Sequence, residues 1–226
     1  MVLRSRGPLH FVLLYYITDR AQLARDETQR RVRLLDKISE AAQAGVDYIQ
    51  LREKDLPARE FELLARQAAQ LVRASGSKTR LLINSRTDIA LAVQADGVHL
   101  RSNDISPADV RMILKRASPA SQPLIAVSSH NLAEVVGAKN AGADFVVFGP
   151  VFGKRDLKGN PTGTDQLRNA CGKGIPVFSL GGLTTNNVSL CVEAGASGIA
   201  AIRLFQENEI AKVVEMLGGD SLVDGF

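Results

Sequence analysis

The run Gln50-Leu51-Arg52-Glu53-Lys54 places an amide and two cations at alternate positions. In an extended strand, Gln50, Arg52 and Lys54 face one side, and Leu51 and Glu53 the other. An amide beside two cations suits an anion, which arginine can grip through two parallel N–H groups. A solvated strand end is the competing reading, although Arg and Lys seldom face an interior without a partner. Asn84-Ser85-Arg86 and His99 through Asp104 follow. A carboxylate such as Asp104 suits Mg²⁺, which takes one or two carboxylates together with waters and substrate phosphates. Asp104 reads equally well as a helix cap before Ser106-Pro107, a role Ser106 also fits. His99 reads as a satisfied wall residue.

Ser128-Ser129-His130 offers a hydroxyl able to hydrogen-bond a substrate or an oxyanion. His130 is either a general acid–base group, with an ordinary pKa near 6.5, or the border of a helix starting near Asn131. The stretch from Gly153 to Pro161 carries Lys154, Arg155 and Lys158, as an anion-gripping lid or a plain surface loop would. Gly181-Gly182 would let backbone N–H groups approach phosphate oxygens, and Ile202-Arg203 closes the series.

These groups need elements to position them. Short β-rich runs recur at residues 11–17, 48–51, 80–84, 97–100, 124–128, 145–148, 176–179 and 198–202. Between them, apolar residues repeat at helical spacing, as in Leu34, Leu35, Ile38, Ala41 and Ala42, or Phe61, Leu64, Ala65 and Ala68. Alternating strands and helices imply a parallel sheet. Eight repeats favour closure into a (β/α)₈ TIM barrel of residues 11–217 within a single domain of residues 1–226. An open doubly wound sheet is second, and no GxGxxG follows the first strand to support it. Ala44-Gly45-Val46-Asp47, Ala141-Gly142-Ala143-Asp144 and Ala194-Gly195-Ala196-Ser197 precede strands two, six and eight, each reading as a helix end turning into a strand. In a barrel, chemistry sits where strands end, and phosphates commonly bind after strands seven and eight. The tail beyond Leu217 is expected to fray.

Bulk properties narrow the function classes. The 226 residues are 45% hydrophobic and 23% charged, ordinary for a globular domain. Aromatics make up 5% with no Trp, which predicts an aliphatic core. The net charge of +4 is spread among acidic residues along the helices, which argues against nucleic acid and leaves a few cations for a small anion. Cys171 and Cys191 have no metal-binding or redox spacing and read as free thiols in a reducing compartment. No apolar run approaches the ~18 residues of a membrane span. The apolar segment at residues 9–17 has no small-residue cleavage site and runs into Asp19-Arg20, so it reads as a strand and the protein as cytoplasmic.

Five motifs in order resemble the thiamine phosphate synthase and thiazole tautomerase superfamily across residues 16–205. They are Gln50-Leu51-Arg52-Glu53-Lys54, Ala95-Asp96-Gly97-Val98-His99-Leu100, Val127-Ser128-Ser129-His130, Phe148-Gly149-Pro150-Val151-Phe152 and Leu180-Gly181-Gly182-Leu183-Thr184. The resemblance implies a TIM barrel that joins a pyrimidine pyrophosphate to a thiazole phosphate. The pyrimidine methylene would ionise and the thiazole nitrogen capture it. It implies that Gln50, Arg52, Lys54, Asn84 and Ser128 hold the pyrimidine pyrophosphate, and that Asp104 binds Mg²⁺. Gly181, Gly182, Ile202 and Arg203 would hold the thiazole phosphate. Arg52, Lys54, Ser128 and His130 are the expected catalytic groups, and small phosphorylated molecules the expected partners, with a homo-oligomer left open.

Two positions depart from the family. Its second Mg²⁺-binding Asp is replaced by Ser85, which weakens the metal site, and its loop lysine by Leu157, with Lys154, Arg155 and Lys158 nearby. A thiazole tautomerase using His130 and no metal, and a non-catalytic binder of thiamine phosphate or a precursor, are the alternatives.

Overall fold

A computed structural model describes residues 12–153 and 161–218. Strands and helices alternate along the chain. They are β1 (Leu13–Ile17), α1 (Glu27–Gln43), β2 (Tyr48–Leu51), α2 (Ala58–Ala74), β3 (Arg80–Asn84), α3 (Thr87–Ala92), β4 (Gly97–Leu100), α4 (Pro107–Ala117), β5 (Leu124–Ser129) and α5 (Leu132–Asn140). Then follow β6 (Phe145–Phe148), α6 (Gly163–Cys171), β7 (Val177–Leu180), α7 (Val188–Glu193), β8 (Gly198–Ala201), α8 (Arg203–Gln206) and α9 (Ile210–Gly218). All strand pairings are parallel, and β8 pairs with β1 to close a barrel in sequence order.

The expected strands are therefore present, with shifted ends. β5 runs on to Ser129, β7 lies one residue later than expected, and β8 stops at Ala201 because Ile202 caps α8.

Strand alternation separates two apolar clusters. The larger packs outward-facing strand residues against the helices, where Leu34, Ile38, Ala41 and Ala42 of α1 are buried. The smaller fills the lumen and includes Tyr15, Ile17, Leu82, Ala126, Phe145, Val147, Phe178 and Ala200. The lumen corrects the expectation of an aliphatic core. Tyr15, Tyr48, Phe145 and Phe178 pack there with centroids 4.7–6.0 Å apart, several edge-to-face. Few aromatics are present overall, but four of them meet here as large rigid rings that fill the barrel. Gly198 makes room for them, since a Cβ there would run into the Phe178 ring.

The strand starts carry a repeated device. Asp47, Asp96 and Asp144, each just before an even-numbered strand, accept from the backbone N–H of the second residue of the preceding strand. The distances are 2.8 Å to Leu14, 2.8 Å to Leu81 and 2.6 Å to Ile125. The helix-end motifs read from sequence include two of these aspartates, and Gly45, Gly142 and Gly195 take positive φ as expected. The last repeat has Ser197 in place of Asp.

Candidate functional site

The opposite end of the barrel gathers the polar strand ends. Register aligns Ile17 with Gln50, Gln50 with Leu82, Asn84 with His99 and His99 with Ala126. Side chains at these positions share the lumen face. Gln50 and His99 are buried there, while Asn84 and Ser128 are half-buried nearer the mouth.

Three of these side chains, together with Tyr15 of β1, form a hydrogen-bonded chain across four strands. Gln50 Nε2 donates to the Tyr15 hydroxyl at 3.2 Å, the hydroxyl lies 2.9 Å from His99 Nδ1, and His99 Nε2 lies 2.8 Å from Ser128 Oγ. Burial, with a smaller contribution from the charge of Arg52, lowers the His99 pKa from 6.5 to about 3, so the imidazole is neutral. Burial likewise pushes the Tyr15 phenol above its ordinary range, so it keeps its proton. His99 is thus a satisfied wall residue, but one wired to Ser128. Tyr15 gives no sign in the sequence beyond an apolar strand.

The end of β2 is held from behind. Glu53 is buried on the outer side and accepts from Thr18 Oγ1 at 2.6 Å, the Arg20 backbone N–H at 3.0 Å and Arg20 Nη1 at 3.2 Å. Thr18 Oγ1 in turn accepts from the backbone N–H of Arg52 at 2.9 Å. Burial lifts the Glu53 carboxyl above the usual range, against the hydrogen bonds from Thr18 and Arg20. Burial alone would lower Arg20, but its bonds to Asp55, Glu27 and Glu53 raise it and hold it charged. This bracket fixes the backbone that carries Arg52 and Lys54. Alternation alone places Glu53 on the outer side, but it does not reveal its partner, which lies 33 residues away in the chain.

Asp104 is already engaged. It accepts from Ser85 Oγ at 2.7 Å, from the Arg101 backbone N–H at 2.9 Å, and from Arg101 Nε and Nη2 at 3.0 and 2.8 Å. Burial pushes its carboxyl up, but the bonds from Arg101 and Ser85 outweigh that and hold it below the usual carboxylate range. Ser85 takes φ +54° and donates its backbone N–H to the His99 carbonyl. At position 85, where the resemblance implies a second carboxylate, this chain supplies a hydroxyl that donates to Asp104. Among the described residues no three His, Cys, Asp or Glu side chains gather as a metal site. Asp104 is thus a single carboxylate, which Mg²⁺ would have to share with waters and substrate phosphates. Asp104 is not the cap of α4 either, since Ser106 occupies that position.

On the far side of the mouth, the glycine turn packs against the loop after β6. Val151 donates its backbone N–H to the Leu180 carbonyl at 2.8 Å and Phe152 to that of Gly181 at 3.1 Å. Gly181 and Gly182 take φ +102° and +63°, and a Cβ on either would press on Pro150 or on Phe152 and Gly153. Only glycine suits both the backbone angle and the closeness. Ile202 packs on the lumen cluster, and Arg203 opens the short helix α8. Gly149-Pro150 is a cis peptide, and the Gly149 carbonyl accepts from His130 Nδ1 at 2.7 Å. The backbone N–H of His130 donates to Glu134 Oε2, so His130 also borders the helix cap made by Asn131. Lys154, Arg155, Leu157 and Lys158 lie outside the described residues, as does the tail beyond Gly218. Cys191 is buried and Cys171 partly so, both as free thiols. No described helix is long and apolar enough to cross a membrane.

Comparison with known proteins bears on this arrangement. A family model described as thiamine monophosphate synthase matches residues 14–205. A Geobacter sulfurreducens protein, provisionally named a thiamine-phosphate synthase, is 43% identical over 192 residues, covering 84% of each chain. A Roseiflexus castenholzii protein named thiamine-phosphate synthase is 37% identical, covering 84% of this chain and 79% of its own. The solved structure of thiamine phosphate pyrophosphorylase from Pyrococcus furiosus superposes with a TM-score of 0.72 at 31% identity, covering 91% of this chain and 93% of that one.

Proposed function

The chain belongs to the thiamine monophosphate synthase family, and from that premise we propose that it joins hydroxymethylpyrimidine pyrophosphate to thiazole phosphate, giving thiamine phosphate and pyrophosphate. The observation that carries this reading is the split character of the mouth. Arg52 and Lys54 stand at the end of β2, the Gly181-Gly182 turn stands at the end of β7, and uncharged Asn84 and Ser128 lie in the lumen face between. Two rings, each carrying its own anionic group and meeting at the neutral centre, match that layout. The pyrimidine carbon–oxygen bond breaks with its electron pair leaving on pyrophosphate, and the thiazole nitrogen then forms the new carbon–nitrogen bond. Stabilising the departing charge is the main demand, which fixed cations and hydrogen-bond donors meet without reorganising.

In this reading Gln50, Arg52, Lys54, Asn84 and Ser128 serve the pyrimidine pyrophosphate. Gly181, Gly182, Ile202 and Arg203 serve the thiazole phosphate, and Lys154 and Lys158, outside the described residues, are further candidate substrate contacts. Mg²⁺ held by Asp104 together with waters and substrate phosphates would help neutralise the departing pyrophosphate. The purified protein, given both precursors and Mg²⁺, is expected to release thiamine phosphate and pyrophosphate in equal amounts. Chelating divalent ions is expected to lower that rate, and Mg²⁺ to restore it. No product from folded protein sinks the assignment. A rate unchanged by chelation would remove Mg²⁺ from the scheme.

One observation favours a second reading, an isomerase of the thiazole carboxylate phosphate. With Nδ1–H held by the Gly149 carbonyl, the basic nitrogen of neutral His130 is Nε2. Isomerisation of that substrate, lost in His130→Ala, would select it. Binding of thiamine phosphate with neither activity would mark a non-catalytic binder.

A further inference from the structure

The chain from Gln50 to Ser128 has a direction. An amide nitrogen only donates, so the Tyr15 oxygen accepts from Gln50, and its single proton is left for His99 Nδ1. Neutral imidazole that accepts at Nδ1 carries its proton on Nε2. That proton points to Ser128 Oγ, 2.8 Å away. A Ser128 oxygen that accepts from His99 keeps its own proton available to a group in the mouth, where Ser128 is half-buried. If the histidine were reversed, with the proton on Nδ1, Ser128 would donate to His99 and present only lone pairs to a substrate. A serine alone at the end of β5 would rotate freely between these states.

We propose that Tyr15 and His99 are positioning residues that fix the Ser128 hydroxyl as a hydrogen-bond donor, so that the lumen selects a substrate with an acceptor atom there, a pyrophosphate oxygen or a pyrimidine ring nitrogen. The inference rests on reading Ser128 as a substrate contact. Tyr15, His99 and Gln50 do not themselves meet substrate in this scheme. Three strands are used to set one hydroxyl, and all three residues are at most 2% exposed, which shields the chain from competing water.

Two measurements test this. The first needs no substrate: ¹⁵N spectra of the His99 ring, assigned by its disappearance in His99→Gln, should show protonated Nε2 and bare Nδ1, unchanged between about pH 5 and 8. A ring protonated at Nδ1, or one that titrates in that range, overturns the proposal. The second is a mutant cycle. Tyr15→Phe keeps the ring that packs on Tyr48, Phe145 and Phe178 but removes the hydroxyl. It should lower kcat/KM for the pyrimidine pyrophosphate about tenfold, the scale of one hydrogen bond, and should have almost no effect once Ser128→Ala is present. Equal losses in both backgrounds would mean that Tyr15 acts only through packing, and would overturn the proposal. If Tyr15→Phe does not fold, His99→Asn with and without Ser128→Ala supplies the same comparison. If the wild type makes no thiamine phosphate, the assigned activity fails while the ¹⁵N result still decides the polarity of the chain.

Discussion

At Asp104, one carboxylate receives four hydrogen bonds, three of them from Arg101. Arg101 and Ser85 both donate to it, and position 85 supplies no second carboxylate beside it. The substitution Ser85→Asp should reverse the balance. Its left-handed backbone, φ +54°, is one that Asp adopts more readily than most residues. Two neighbouring carboxylates attract a divalent ion far more strongly than one paired with arginine. Titration of Mg²⁺ in the presence of pyrophosphate should therefore show at least about tenfold tighter binding in Ser85→Asp than in the wild type. Equal affinity would show that Ser85 does not decide metal binding.

Among the elements, the ends of β1 and β2 are tied together behind the site. The bracket of Thr18, Arg20 and Glu53 converts a strand end into a rigid support for Arg52. Removing one partner of a buried charge pair leaves the other uncompensated, so Arg20→Met should lower unfolding free energy by about 3–5 kcal/mol near neutral pH. The sign of its pH dependence follows from Glu53. Without Arg20, its folded-state pKa rises further above the unfolded value, so the folded state holds its proton more tightly. The deficit is then largest well above that raised pKa and shrinks as pH falls toward the ordinary glutamate value. Urea denaturation at about pH 8 and pH 5 should therefore show the gap between variant and wild type narrowing at the lower pH. A gap that widens would mean that Glu53 is not the stranded charge.

The whole molecule is a closed sheet around a plug of rings, and closure constrains residues far from the chemistry. Gly198 on β8 faces Phe178 on β7, and the lumen has no spare room at that level. Gly198→Ala should cost about 1–3 kcal/mol through overpacking. The pair Gly198→Ala with Phe178→Leu should recover most of it if steric conflict is the cause. Chemical denaturation checks both, and additive losses would point to a backbone effect of the alanine. The lumen plug also supports function, because Tyr15 serves at once in the ring cluster and in the hydrogen-bonded chain leading to Ser128.

The sequence by itself determined the barrel. Short β-rich runs and helical spacing are local signals, and eight alternating repeats leave few ways to bury every apolar face. It also placed Gln50, Arg52, Asn84, Ser128 and Gly181 at strand ends, because alternation and strand order follow from chain position. Only the tertiary structure decided what those residues touch. Tyr15 and His99 are 84 positions apart, Arg20 and Glu53 are 33 apart, and Ser85 and Asp104 are 19 apart. No periodicity encodes such pairs. They depend on the register between strands and on which side chain reaches across the lumen, and both are set when the sheet closes. For the same reason the helix-cap reading of Asp104 stood open until the structure gave the cap to Ser106 and brought Ser85 from the neighbouring strand end against Asp104.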